Sequence, residues 1–139
     1  MRNIRKRRKL KILKLDYCSQ LATINFVIKP GPKKLKIYDT AEGKRPYSEW
    51  LKSLRDITTV ARIRSRLDRI EEGNLGQYKT LGTGLFEFKF DFGAGCRVYF
   101  ALDGAQIILL LSGGDKGSQR KDIEKAREYW TDYLMRNRK

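Results

Sequence analysis

Four places in this chain combine residue types that could do chemistry. Arg97 sits in an alternating stretch, with Cys96, Val98, Phe100 and Leu102 on one face and Arg97, Tyr99 and Ala101 on the other. An arginine on a rigid strand can clamp a phosphate through two parallel hydrogen bonds. It can equally form a cross-strand ion pair with Glu87 or Asp91. The second place is Gly113-Gly114-Asp115-Lys116-Gly117-Ser118-Gln119-Arg120-Lys121, between an apolar run and a helical pattern. Glycines let a backbone approach a ligand, a helix start offers unpaired N–H groups, and Lys116, Arg120 and Lys121 add charge. The spacing is not that of a Walker loop, and Ser118 also reads as an ordinary helix cap. Third, Tyr78, Lys79 and Lys89 can reach the sheet face that carries Arg97, or they are solvated residues that blunt a strand edge. Fourth, Arg62, Arg64, Arg66 and Arg69, with Asp68, Glu71 and Glu72 nearby, form either a solvated helix face or a surface for an acidic partner.

These residues need elements to hold them. Leu35–Thr40 reads as a strand, with Ile37 and Tyr38 suited to a sheet. Pro46 is placed for the first turn of a helix, and Tyr47, Trp50, Leu51 and Leu54 follow at helical spacing. Asp56 ends that helix or caps the next, as Thr58 or Thr59 can. Val60, Ile63, Leu67 and Ile70 then share one face up to Gly73, so two helices form a hairpin. From Tyr78 the period becomes two. Phe86, Phe88, Phe90 and Phe92 alternate with Leu85, Glu87, Lys89 and Asp91, and Gly93-Ala94-Gly95 turns the chain into Cys96–Leu102. Asp103-Gly104 is a hairpin signal, and Ala105–Ser112 is a strand buried on both faces that Gly113-Gly114 breaks. Lys121–Leu134 closes the chain as a helix. The fold class is α+β, in the order β-α-α-β-β-β-α, with an antiparallel sheet packed by helices.

Composition narrows the chemistry. The 139 residues suit one domain, and 40% hydrophobic content suffices for a core. No histidine is present, which excludes His-based triads and HExxH zinc sites and leaves proton transfer to Lys, Asp, Glu, Tyr or water. Cys18 and Cys96 form no CxxC pair, and no metal site is expected. The longest apolar run, Ile107–Leu111, is far too short to span a bilayer, and no signal-peptide pattern is present, so a cytoplasmic protein without membrane contact is expected. The net charge is +15, and residues 1–36 carry 12 of the 31 basic residues but one of the 16 acidic ones. Such a surplus suits a phosphate-rich partner, although most of it lies in the tail. Arg2–Lys14 reads as a frayed basic tail or a weakly amphipathic helix, Leu21–Ile28 as an isolated strand, and Pro30-Gly31-Pro32 as a break. This divides the chain into a basic N-terminal extension, 1–33, and a compact domain, 34–139.

Several ordered blocks resemble one family. They are Tyr38-x-Thr40-x-x-Gly43-x-x-Pro46-x-x-Glu49-Trp50-Leu51, Ala61-Arg62-Ile63-x-x-Arg66-Leu67-x-Arg69, Gly73-Asn74-Leu75-Gly76, Leu81-Gly82-x-Gly84, Gly95-Cys96-Arg97-Val98-Tyr99-Phe100 and Leu110-Leu111-x-Gly113-Gly114-Asp115-Lys116-x-Ser118-Gln119-x-x-Asp122-Ile123-x-x-Ala126. Over about residues 35–134 the chain is similar to the addiction module killer toxins, HigB-like members of the RelE/ParE superfamily of type II toxin–antitoxin systems. The resemblance implies a toxin that enters the ribosome and cuts mRNA without a metal or cofactor. It also implies a cognate helix-turn-helix antitoxin from the adjacent gene. Arg97 matches the strand arginine that meets the scissile phosphate, and Lys116 roughly matches a second basic position. Lys79 and Lys89 are candidate proton acceptors, and Tyr78, Tyr99, Arg120 and Lys121 are candidate RNA contacts. The pattern departs near the last helix, where Asp122 and Ile123 stand in place of a Tyr or His. Two other readings stay open: a ParE-like toxin acting on DNA gyrase, and a non-catalytic RNA-binding module.

Overall fold

The computed structural model describes residues 28–91 and 95–137. The basic run Arg2–Lys14, most of the Leu21–Ile28 stretch, and Phe92, Gly93 and Ala94 lie outside the described residues. The order is β1 (Lys34–Ile37), α1 (Pro46–Ser53), α2 (Ile57–Glu71), β2 (Tyr78–Gly82), β3 (Leu85–Lys89), β4 (Arg97–Asp103), β5 (Ile107–Gly114), a 3₁₀ turn (Lys116–Ser118) and α3 (Gln119–Arg136). The α+β class is as expected, with two differences. Tyr78–Gly82 is a strand of its own, because Gly82, Thr83 and Gly84 all adopt positive φ and turn the chain tightly into β3. The sheet is mixed: its order is β1-β5-β4-β3-β2, and β1 pairs with β5 in parallel while the other neighbours are antiparallel. The long path through α1, α2, β2, β3 and β4 is the crossover that a parallel pair requires.

Both faces of the sheet are buried, which sorts every strand residue by parity. On one face Phe86, Phe88, Phe90, Val98, Phe100, Ile108 and Leu110 pack with Tyr47, Ile63, Leu67 and Ile70 of α1 and α2. Phe88 and Phe100 stack with centroids 4.0 Å apart. Ile28 already joins this core, and its N–H donates to the Tyr78 hydroxyl at 2.9 Å. On the other face Leu85, Tyr99, Ala101, Leu109 and Leu111 pack with Ala126, Trp130 and Tyr133 of α3. The strand β5, paired on both sides and covered on both faces, matches its apolar centre.

Local signals explain the ends of the elements. Pro46 opens α1, and the Asp56 carboxylate accepts the Thr58 N–H at 3.1 Å to cap α2. The helix α3 is tied to the sheet at both edges. At the β2–β3 turn the Trp130 indole N–H donates to Thr83 O at 3.2 Å and Arg127 Nη2 to Leu81 O at 2.7 Å. At β1 the Tyr38 hydroxyl donates to Asp132 at 2.6 Å. These ties hold the first turn of α3 over the end of the sheet where β3, β4 and β5 meet. Among the described residues, no helix is long and apolar enough to cross a membrane.

Candidate functional site

At that end of the sheet, backbone register aligns Lys79 with Glu87, Glu87 with Tyr99, and Tyr99 with Ser112. One step on, it aligns Lys89 with Arg97 and Arg97 with Gly114. All of these residues belong to the α3 face. A register shift between Tyr99 and Phe100 leaves Leu111 without a partner, and this bulge turns Ser112 and Gly114 toward α3. The two glycines of β5 are required by close approach. A Cβ on Gly113 would fall inside the Trp50 indole of α1, and one on Gly114 inside the Asp122 carboxylate of α3. Gly113 and Gly114 therefore continue the strand instead of breaking it.

Beneath the first turn of α3 lies a buried polar cluster. Glu87 is 3% exposed, Arg97 7% and Tyr99 0%. Arg97 Nε stands 3.5 Å from Glu87 Oε2, and Nη1 donates to Gly95 O at 3.0 Å. Gln119 Nε2 donates to the other Glu87 oxygen at 2.9 Å. The expected open, two-bond phosphate clamp at Arg97 is therefore corrected. The guanidinium lies under α3 against a carboxylate, in the cross-strand ion pair with Glu87. Among the described residues Arg97 Nε, the Tyr99 hydroxyl and the Ser112 hydroxyl are buried without a hydrogen-bond partner. Burial, then the charges of Glu87 and Asp122, push the Tyr99 phenol well above its ordinary value, so it stays neutral.

The bend after β5 is also occupied by its own side chains. Asp115 Oδ1 accepts the Gly117 and Ser118 N–H groups at 2.9 and 3.2 Å. The expected cap by Ser118 is replaced: its hydroxyl donates to Asp122 instead. Two of the backbone N–H groups that could have met an anion are thus held by Asp115.

Cations gather around the rim of this cluster. Gly95, with φ +78°, has no side chain, and the place where one would begin lies 3.5 Å from Lys116 Cβ and 3.7 Å from Arg97 Nη1. Lys116 and Arg97 therefore come together at one corner, while the ammonium of Lys89, the register partner of Arg97, stands 3.6 Å from Asp91. Lys79, Arg120 and Lys121 are exposed. Two expected RNA contacts are elsewhere. Tyr78 lies on the α1/α2 face against Phe86, because its register partner is Phe88. Tyr99 is sealed under α3 and cannot stack on a base. The sequence marks Glu87 as a possible partner of Arg97, puts Gln119 in the glycine-flanked bend and Asp122 in place of a Tyr or His, and gives Ser112 no role. Parity alone could have placed Glu87, but nothing local brings the others to it. The Cys96 thiol is buried and pushed up by that burial, so it is not a reactive thiolate.

A second basic feature lies on the opposite face. Arg62, Ser65, Arg66, Arg69, Gln77, Lys89, Phe90 and Asp91 line an open cleft of about 370 Å³ between α2 and the ends of β2 and β3. Arg66 forms its floor. Its Nη1 donates to Lys89 O at 2.6 Å and its Nη2 to Gln77 O, and it lies over Phe90 and Phe88 at 4.8 and 5.2 Å. Burial and the neighbouring Arg69 lower its pKa from the usual value.

Comparison with known proteins now places the chain. The family model described as "Phage derived protein Gp49-like (DUF891)" matches residues 49–131. The chain belongs to the Gp49-like family. That phage-derived family is related to the toxins of toxin–antitoxin systems. An uncharacterized protein of Haemophilus influenzae is 38% identical over 81 residues, which cover 58% of this chain and 82% of that protein. The Gp49-like match runs from within α1 into α3 and takes in both the buried cluster and the basic cleft.

Proposed function

We propose that this Gp49-like protein is the toxin of a type II toxin–antitoxin pair, a HigB-like, RelE/ParE-type protein that enters the ribosome and cuts mRNA without a metal. Its antitoxin is a helix-turn-helix protein from the adjacent gene. The observation that carries the reading is the approach of Lys116 to Arg97 at one corner beside Gly95, with Lys89 one strand away in register. Cleavage by a 2′-hydroxyl needs a proton acceptor and positive charge where the pentavalent phosphorane forms. It leaves a 2′,3′-cyclic phosphate and a 5′-hydroxyl.

Lys116 meets the phosphate from the rim. Arg97, paired with Glu87 and donating to Gly95 O, braces that corner from below. The neutral amine of Lys89, the register partner of Arg97, takes the 2′-hydroxyl proton, with Lys79 the alternative, and water gives a proton to the departing 5′-oxygen. The 2′-hydroxyl is oriented by the ribosome, so free RNA is cut weakly.

Lys116→Ala is the direct test, because this exposed side chain can be removed without disturbing the buried pair. Primer extension on transcripts after brief induction should show cutting by the parent chain and about 100-fold less by the variant. Equal cutting by both removes Lys116 from the mechanism. Intact transcripts with DNA-damage signalling turn the reading toward gyrase.

A further inference from the structure

We propose that the cleft between α2 and the ends of β2 and β3 is a second RNA site, which grips the phosphodiester backbone of the strand away from the cutting corner. The proposal rests on the toxin reading for its choice of polyanion, and otherwise on the cleft's own construction. Arg62, Arg66 and Arg69 follow at i, i+4 and i+7 along one side of α2, so their Cβ atoms stand about 5–6 Å apart and all three line the cleft. Arg66 is fixed by two backbone carbonyls and two aromatic rings. Its partners are neutral, so its hydrogen bonds are satisfied while its charge remains in the cleft. Among the described residues Asp91 is the only acidic one lining it, and it stands 3.6 Å from the Lys89 ammonium.

The same lining argues against an acidic peptide as occupant. A helix or strand seated in a groove is anchored by apolar side chains. Here Phe90, the one apolar lining residue among those described, is 2% exposed and roofed by Arg66. What remains besides Asp91 is Arg, Lys, Ser and Gln, the donors that contact phosphates without reading sequence. Lys89 lines the cleft and is also the register partner of Arg97, so one strand crossing the end of β3 can touch both places.

The test is the salt dependence of binding to a 12-nucleotide oligouridylate, read by fluorescence anisotropy. It compares the full chain, the Arg62→Gln/Arg69→Gln double variant and Lys116→Ala. Each phosphate contact on a single strand contributes a slope of about −0.7 in log affinity against log salt. The double variant should lose about 1.4 of that slope. Raising salt fourfold should then cost the parent chain about sevenfold more affinity than the variant. Both exposed arginines can be replaced without opening the core, and an unchanged melting temperature checks this. An unchanged slope and affinity in the double variant overturns the proposal. Retained RNA binding with lost antitoxin binding also overturns it, and assigns the cleft to the protein partner. The toxin reading fails separately: if the parent chain cuts no message but the slope still falls, the cleft stands and the cutting corner does not.

Discussion

Arg97 and Arg66 are both held against the end of the same sheet, one on each face, and they are satisfied in opposite ways. Arg97 is paired with Glu87 under α3, so its charge is cancelled where it sits. Arg66 bonds to the carbonyls of Lys89 and Gln77 and lies on Phe88 and Phe90, so it makes no ion pair of its own among the described residues, and Asp91, itself paired with Lys89, offsets its charge only in part. A carboxylate partner makes a buried arginine a structural element. Neutral partners leave it a source of field. Two basic positions that look alike in the sequence thus have different electrostatic reach.

The pair on the α3 face should be the more expensive to break. Glu87→Ala or Arg97→Ala leaves a single charge nine-tenths buried, and chemical denaturation should show a loss of about 3–5 kcal/mol. The Glu87→Leu/Arg97→Met double variant should recover most of it, since apolar replacement of a buried pair is often neutral. Additive losses in that cycle would mean that the two residues are not coupled. Arg66→Met should cost less, about 1–3 kcal/mol, for the two carbonyls left without a donor. A loss as large as that of Arg97→Ala would erase the contrast between the faces.

The smallest effect at neutral pH, and the finest comparison, concerns two buried phenols. Tyr47 on the α1/α2 face and Tyr99 on the α3 face both lack a hydrogen-bond partner among the described residues. Burial, slightly offset by Arg64, pushes Tyr47 up to about 12, while Glu87 and Asp122 add to burial at Tyr99 and hold it higher. A raised folded value means that the neutral form is favoured in the native state. That stability is complete below the unfolded value of 10.0 and is lost as pH climbs toward about 12. Tyr47→Phe should change stability by less than about 0.5 kcal/mol at pH 7 and flatten the alkaline decline. In a titration followed by phenolate absorbance, Tyr47 should ionise before Tyr99. The reverse order would show that the α3 face is the wetter of the two.

Much of this was legible locally. Alternation along Leu85–Phe90 and Cys96–Leu102 separates the two faces correctly, because β-strand side chains must alternate and both faces are covered. Pro46, Asp56 and the apolar positions of α2 locate the helical hairpin from capping and helical period. Arg97 and Lys116, which the family blocks mark as basic positions, both lie beside Gly95. Local pattern could not supply pairing between distant segments. It did not show β2 as a separate strand, β1 parallel to β5, or Tyr78 turned away from Arg97.

The residues by themselves determined an α+β chain, the absence of imidazole chemistry and a rim of cations at one end of the sheet. Tertiary structure alone decided which of two readings each cation takes. The bulge at Leu111 turns Ser112 and Gly114 toward Arg97, α3 brings Gln119 onto Glu87, and α2 lays Arg66 across two strand ends. The physical reason is that a charge's effect depends on what is packed within a few ångströms of it. Those neighbours come from segments far apart in the chain.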